Sequence, residues 1–209
     1  MDDIREISYK EASTFLLPRH YSGRIPTISV AYGLFKNGEL MAVCTFGKPA
    51  SPSLCVGVCG SQFSKNVYEL NRLCRTESYD KPLSQFVAHC LRDLRKRDWI
   101  VVSYSDTAMH HHGYIYQACN FLYTGATKPR TDTYTPSGKH SRHYDKNDNS
   151  GIRKIRSSKH RYVYFCTSSK SLLKKWKEAL NYPILPYPKG DNQNYTLGNF
   201  LKDEYVVEG

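Results

Sequence analysis

The stretch that most constrains the fold runs from Trp99 to Gly125, WIVVSYSDTAMHHHGYIYQACNFLYTG, and it reads as strand, loop, helix, strand. Trp99 to Tyr104 is an aromatic and β-branched apolar run of strand length. A carboxylate, Asp106, stands where the run stops, and a polar loop ending in His110, His111 and His112 follows. After Gly113, Tyr114 to Asn120 suits a short helix, before a second apolar run, Phe121 to Tyr123, and a glycine turn. Loops at the C-terminal ends of strands are where α/β proteins place their chemistry, so Asp106, the histidines and Tyr116 are the first candidates for a site.

The preceding chain supplies partners for that strand. Tyr9 to Leu17 reads as a short helix stopped by Pro18, and the polar loop Arg19-His20-Tyr21-Ser22-Gly23 follows. Ile28 to Phe35 and Leu40 to Phe46 flank Asn37-Gly38, the pair that suits a type I′ hairpin turn. Leu54 to Val58 reads as a short strand, and Val67 to Cys74 as another. Strict alternation along the second places Tyr68, Leu70, Arg72 and Cys74 on one face, and Glu69, Asn71 and Leu73 on the other. An arginine among apolar neighbours requires an anionic or carbonyl partner, met equally by a structural salt bridge or a substrate. Ser84 is placed as N-cap of a helix from Gln85 to Arg97, whose Phe86, Val87, Cys90, Leu91 and Leu94 form the apolar stripe.

Beyond Gly125 the composition changes. From Lys128 to Arg161 ten Lys and Arg stand against three Asp, with His140, His143, His160, Tyr134 and Tyr144 interleaved. Such a segment suits phosphates contacted by cations and bases stacked on rings. Tyr162 to Cys166 closes it as a strand, Ser168 to Leu180 is a lysine-rich amphipathic helix, and Pro183, Pro186 and Pro188 give an extended tail.

The resulting fold class is α/β, one mixed central sheet flanked by helices, with a basic insertion at about residues 126–161 before the last strand. At 209 residues the expectation is a single domain, with a C-terminal helix and tail over 168–209. The formal charge of +11 and the 17 tyrosines point to a polyanionic partner, nucleic acid first. The seven cysteines lie mostly inside apolar runs and read as reduced core residues. Neither a signal peptide nor a bilayer-length apolar run is apparent, so the expected location is cytoplasmic, with no membrane partner. No Gly-x-Ser-x-Gly elbow, phosphate-binding Walker loop or dinucleotide glycine fingerprint is present.

The segment from Val67 to Gly125, ending in Ala118-Cys119-Asn120-Phe121-Leu122-Tyr123-Thr124-Gly125, resembles the core of the Gcn5-related N-acetyltransferase superfamily. More closely, Tyr68-Glu69-Leu70-Asn71-Arg72-Leu73-Cys74, Gly113-Tyr114-Ile115-Tyr116-Gln117-Ala118, Thr131 to Pro136, Gly138 to Tyr144 and Arg161-Tyr162-Val163-Tyr164 resemble the Mom family of phage DNA-modification proteins. That resemblance implies a splayed acyltransferase-like sheet in the cytoplasm of a host bacterium. The implied activity converts adenine in double-stranded DNA to N6-carbamoylmethyladenine, with the base flipped from the stack, and protects the DNA from restriction.

The loop Arg75 to Leu83 lacks the glycines whose amides cradle a coenzyme A pyrophosphate. Ser84, Lys81 and the helix N-terminus remain as the donor-binding candidates, for acetyl-CoA or another donor. Acyl transfer gives an amide, whereas a carbamoylmethyl group is joined through a methylene carbon, so the product calls for a way to activate carbon. A redox metal such as iron supplies one. The matching family positions make His20, Tyr21, Asp106 and Tyr116 the implied metal ligands, and Asp106, Tyr116, Tyr21 and Arg72 the catalytic set. In the alternative, Asp106 is a base for adenine N6, Tyr116 a general acid and Arg72 an anchor. Lys139, His140, Arg142, Arg153, Arg156, Lys159 and Arg161 are the candidate contacts to the DNA backbone. Two other functions are open: a DNA-binding accessory protein without catalysis, and an ordinary N-acetyltransferase.

Overall fold

The computed structural model describes residues 2–20, 24–133, 152–191 and 205–207. A short first strand, β1 (Asp3–Glu6), precedes helix α1 (Tyr9–Leu16). Ser8 caps that helix by accepting from the Glu11 amide, and the Glu11 side chain returns to the Ser8 amide, a complete capping box. Strands β2 (Val30–Lys36) and β3 (Glu39–Gly47) follow. They form the expected hairpin, with Asn37 and Gly38 at positive φ between Lys36 and Glu39.

Residues 52–59 depart from the sequence expectation. Instead of a strand over Leu54 to Val58 they form a helix, α2 (Pro52–Cys59). Ser51 accepts from the Leu54 amide and Pro52 presets the first helical φ, two start signals that outweigh the β-branched residues inside. Strand β4 (Val67–Arg75), helix α3 (Ser84–Leu94), strand β5 (Trp99–Asp106), helix α4 (Tyr114–Ala118) and strand β6 (Leu122–Ala126) come next, followed by β7 (Arg130–Thr133), β8 (Ile152–Arg156), β9 (Lys159–Cys166), α5 (Lys170–Glu178) and β10 (Tyr205–Val207). Helix α3 begins one residue earlier than expected. Leu83 is its N-cap, because the Leu83 carbonyl accepts from Val87 while its side chain is buried in the core, and Ser84 is the first helical residue. After Leu94 the chain tightens into one 3₁₀ turn and reverses at Asp98 in the left-handed region.

Seven strands make the main sheet in the order β1-β2-β3-β4-β5-β9-β6, and β10-β8-β7 make a small second sheet. One face of the main sheet is continuous: Tyr32, Phe46, Leu70, Val101 and Tyr162 pack there against Phe86, Val87, Leu91 and Leu94 of α3. The alternate residues face the other way and pack into two separate clusters. Ala31, Val43 and Cys74 meet Ala12, Phe15 and Leu16 of α1. Val67, Ile100, Val102, Val163 and Phe165 meet α2 and the fully buried Trp176 of α5. Burial of each large apolar side chain among these stabilises by about 2 kcal/mol, so the two clusters fix α1 at one end of this face and α2 with α5 at the other. The seven cysteines are free thiols, six of them buried. No helix among the described residues is long and apolar enough to cross a membrane.

Candidate functional site at the strand fork

Strands β4 and β5 run parallel but pair only at Val67–Ile100, Tyr68–Val101 and Glu69–Val102. Beyond Glu69 both strands continue without pairing to each other, and β5 pairs instead with β9 as far as Asp106–Lys159. The cause is a β-bulge on β4. Phe46 stands opposite Leu70 and Thr45 opposite Arg72, which leaves Asn71 as the extra residue. The Asn71 carboxamide fixes the bulge by accepting from the Thr45 hydroxyl at 2.6 Å and donating to the Thr27 carbonyl at 2.9 Å. At the apex of the fork the Ser103 hydroxyl donates to the Leu70 carbonyl at 3.0 Å.

The bulge also corrects the expected facing of β4. Tyr68 and Leu70 face the α3 side, but the extra residue shifts the alternation, so that Arg72 and Cys74 share the opposite face with Glu69. That face carries Glu69 and Arg72 from β4, Tyr104 and Asp106 from β5, and Lys159 and Arg161 from β9, between the α1 cluster and the α2–α5 cluster. His20 joins them from the end of α1, where its amide donates to the Leu16 carbonyl at 2.8 Å. Desolvation and the positive charges of Arg72 and Lys159 push the His20 imidazole down to about 3, so it is neutral. The same two cations act on Glu69, whose carboxyl is nevertheless raised because desolvation is the larger effect. Burial raises the Tyr104 hydroxyl as well, with Glu69 adding to it. The Arg72 guanidinium donates to the Asn71 carbonyl at 2.6 Å and to the Arg24 carbonyl at 3.3 Å.

Asp106 ends β5 with its side chain 13% exposed. One carboxylate oxygen accepts from the Ala108 amide at 3.1 Å and from the Ser157 hydroxyl, and the other pairs with Lys159 at 3.2 Å. His20 and Asp106 are therefore joined through a common neighbour, Lys159. Tyr116 stands apart from them in packing, its ring 5.3 Å from Tyr162 and 5.4 Å from Phe121, against the α3-face core. Tyr21 lies outside the described residues. A neutral imidazole and a carboxylate fit the nitrogen and oxygen donor set of an iron site, although a metal on Asp106 has to displace Lys159. Among the described residues no three His, Cys, Asp or Glu side chains gather as a ready metal cluster.

The histidine triplet serves the turn. His110 takes a left-handed conformation, the His111 amide donates to the Asp106 carbonyl at 3.2 Å, and the His112 carbonyl accepts from Tyr162 and Gln117. The His112 ring lies 5.8 Å from His160.

The donor-binding candidates do not form a pyrophosphate cradle. Lys81 is paired with Asp2 at 3.0 Å, and the Arg75 guanidinium donates to the Tyr79 carbonyl within the loop. Tyr79, 3% exposed, fills the space beneath. Ser84 is the first residue of α3, and the candidate cation beside it in sequence, Lys81, is engaged by Asp2. An anion bound here has to draw Lys81 away from Asp2.

The basic candidates divide by geometry. Arg161 is held inward, donating to the Thr124 side chain and carbonyl at 2.9 Å each and stacking 3.3 Å over the Tyr182 ring. Lys159 holds Asp106, and Arg156 pairs with Asp132 at 3.3 Å. Arg153 lies on β8, with its Nε donating to the Thr131 hydroxyl at 2.8 Å. Lys139, His140 and Arg142 lie outside the described residues. Sequence reasoning missed Glu69, because simple alternation turned it away from Arg72; only the bulge brings the two onto one face.

The fold has solved counterparts. An N-acetyltransferase from Staphylococcus aureus Mu50 superposes with a TM-score of 0.50 at 12% identity, over 80% of this chain and 99% of that one. The ribosomal-protein-S18-alanine N-acetyltransferase from Escherichia coli gives 0.48 at 11%, over 81% and 96%. The likeness to the Staphylococcus aureus structure is one of fold, a mixed sheet flanked by helices of the kind that the resemblance implied. No curated protein sequence matches the chain. The model of the Mom protein family matches residues 3–189, nearly the whole chain, and the protein belongs to that family.

Proposed function

We propose that this protein is a transferase that converts adenine in phage DNA to N6-carbamoylmethyladenine, in the cytoplasm of the host bacterium, and so shields that DNA from restriction enzymes. The observation that carries the reading is the polar cleft at the strand fork of a Mom-family chain, where His20, Arg72, Asp106 and Lys159 meet on one face. The target base leaves the duplex and enters this cleft, with the cations beside it holding its phosphates. Arg72, its guanidinium steadied by two backbone carbonyls, anchors the substrate or the donor. Asp106 is oriented by Ala108 and Ser157 for ligation or for proton acceptance. His20 and Asp106, together with Tyr21, would hold the metal, which when bound supplies the redox chemistry that a link through a methylene carbon requires, while Tyr116, packed against Tyr162 and Phe121, is set apart from that ligand set. His20 meets that task as a neutral lone-pair donor.

A second reading, a DNA-binding accessory protein without catalysis, is favoured by the loop pinned through Arg75, Tyr79 and Lys81 in place of a donor cradle. Mass spectrometry of nucleosides from the DNA of cells expressing the protein decides between the two. A carbamoylmethyl adduct on adenine is the expected result. An unmodified adenine pool overturns the enzymatic reading, and a plain N-acetyl adduct points to an ordinary acetyltransferase.

A further inference from the structure

The cleft contains two carboxylates in different situations. Asp106 has both oxygens engaged. The Glu69 side chain makes no hydrogen bond or ion pair with any described residue, although it is half-buried and within electrostatic range of Arg72 and Lys159. Its place is the last position at which β4 pairs with β5, opposite Val102, where the sheet opens. Half-buried, its carboxylate keeps contact with solvent, which a donor entering the fork can replace. The nearby cations favour its charged form, against the larger effect of burial, without occupying it.

We infer that Glu69 recognises the exocyclic amine of the base that enters the fork, accepting a hydrogen bond from it and thereby selecting amine-bearing bases. This rests on the proposed function, which brings a base into the cleft. The chemistry is complementary in both parts of a nucleotide. A carboxylate oxygen accepts and an amine offers two donors, while the surrounding cations suit the phosphate. A base with a carbonyl at that position, such as hypoxanthine, would set two acceptors against each other.

The test uses the full chain and thymine-only single strands that carry one central adenine, purine or hypoxanthine, with binding followed by fluorescence anisotropy. Loss of a hydrogen bond to a charged group predicts that the wild type binds the adenine strand about tenfold or more tightly than the purine strand, with hypoxanthine weakest. Glu69→Gln brings adenine and purine to near parity and improves hypoxanthine, because the carboxamide donates to its O6. Glu69→Asp, which keeps the charge but shortens the reach, narrows the gap, and thermal melting of both variants checks that they fold. Undiminished discrimination by a folded Glu69→Gln protein, or none by the wild type, overturns the inference. Nucleoside mass spectrometry run in parallel separates it from the wider reading. Modified adenine together with unchanged Glu69→Gln discrimination leaves the enzyme standing and removes Glu69. Discrimination without modified adenine removes the chemistry and keeps the recognition.

Discussion

The Thr45 hydroxyl donates to the Asn71 side-chain carbonyl at 2.6 Å, and with the Asn71 amide on the Thr27 carbonyl it clamps the bulge from which the sheet opens. Replacing Asn71 by Ala removes both bonds and leaves Thr45 and the Thr27 carbonyl without their partner. The expected cost is about 1–3 kcal/mol, read as a lower urea midpoint. Arg72, the next residue, loses its fixed direction, so DNA modification in cells falls further than the stability loss accounts for. An unchanged midpoint would show that the clamp is incidental.

Much of the architecture was legible because local signals agreed with one another. Asn37-Gly38 between apolar runs dictated the hairpin, the Phe86 to Leu94 stripe dictated α3, and Trp99 to Tyr104 became a strand of the main sheet as read. Failures came where another signal overrode periodicity, local in one case and tertiary in the other. Ser51-Pro52 started a helix inside an apolar run, and the bulge at Asn71, which depends on Thr45 and Thr27, turned Arg72 to the other face. The candidate site was legible by residue type but not by grouping. Nothing local shows that Arg161 is tied to Thr124 and Tyr182, or that Lys81 is paired with Asp2, nearly eighty residues away.

Asp106 distinguishes a ligand role from an acid/base role. Asp106→Asn keeps an acceptor for the Ala108 amide and is nearly isosteric, but it removes the charge that faces Lys159. If Asp106 is a ligand, iron per chain falls about tenfold or more by elemental analysis of protein purified without chelator. Full retention of iron with loss of DNA modification assigns Asp106 to proton transfer instead.

The basic residues are predicted to separate into two classes. Arg161→Ala removes two hydrogen bonds and the stack on Tyr182, so it lowers the melting temperature. Arg153→Ala leaves the melting temperature near that of the wild type and lowers the slope of log affinity for duplex DNA against log salt by about one. If Arg153→Ala leaves both affinity and slope unchanged, β8 does not face the DNA.

His160 sets a pH dependence of stability. Its ring lies against Tyr123, with Nδ1 2.9 Å from the hydroxyl, and burial followed by the neighbouring His112 lowers its pKa below the ordinary value of 6.5. In the window between the lowered folded value and 6.5 the unfolded chain binds more protons than the folded one. The stability contributed by a neutral His160 is therefore fully present above 6.5 and is lost as the pH falls through the folded value. Urea midpoints taken from about pH 7.5 down to about pH 5.5 should decline in the wild type. His160→Gln, which cannot titrate, should decline less over the same range, while starting lower because the Tyr123 contact is altered. Parallel declines in the two proteins would mean that other groups carry the proton linkage and that His160 is protonated in the fold as easily as in the open chain.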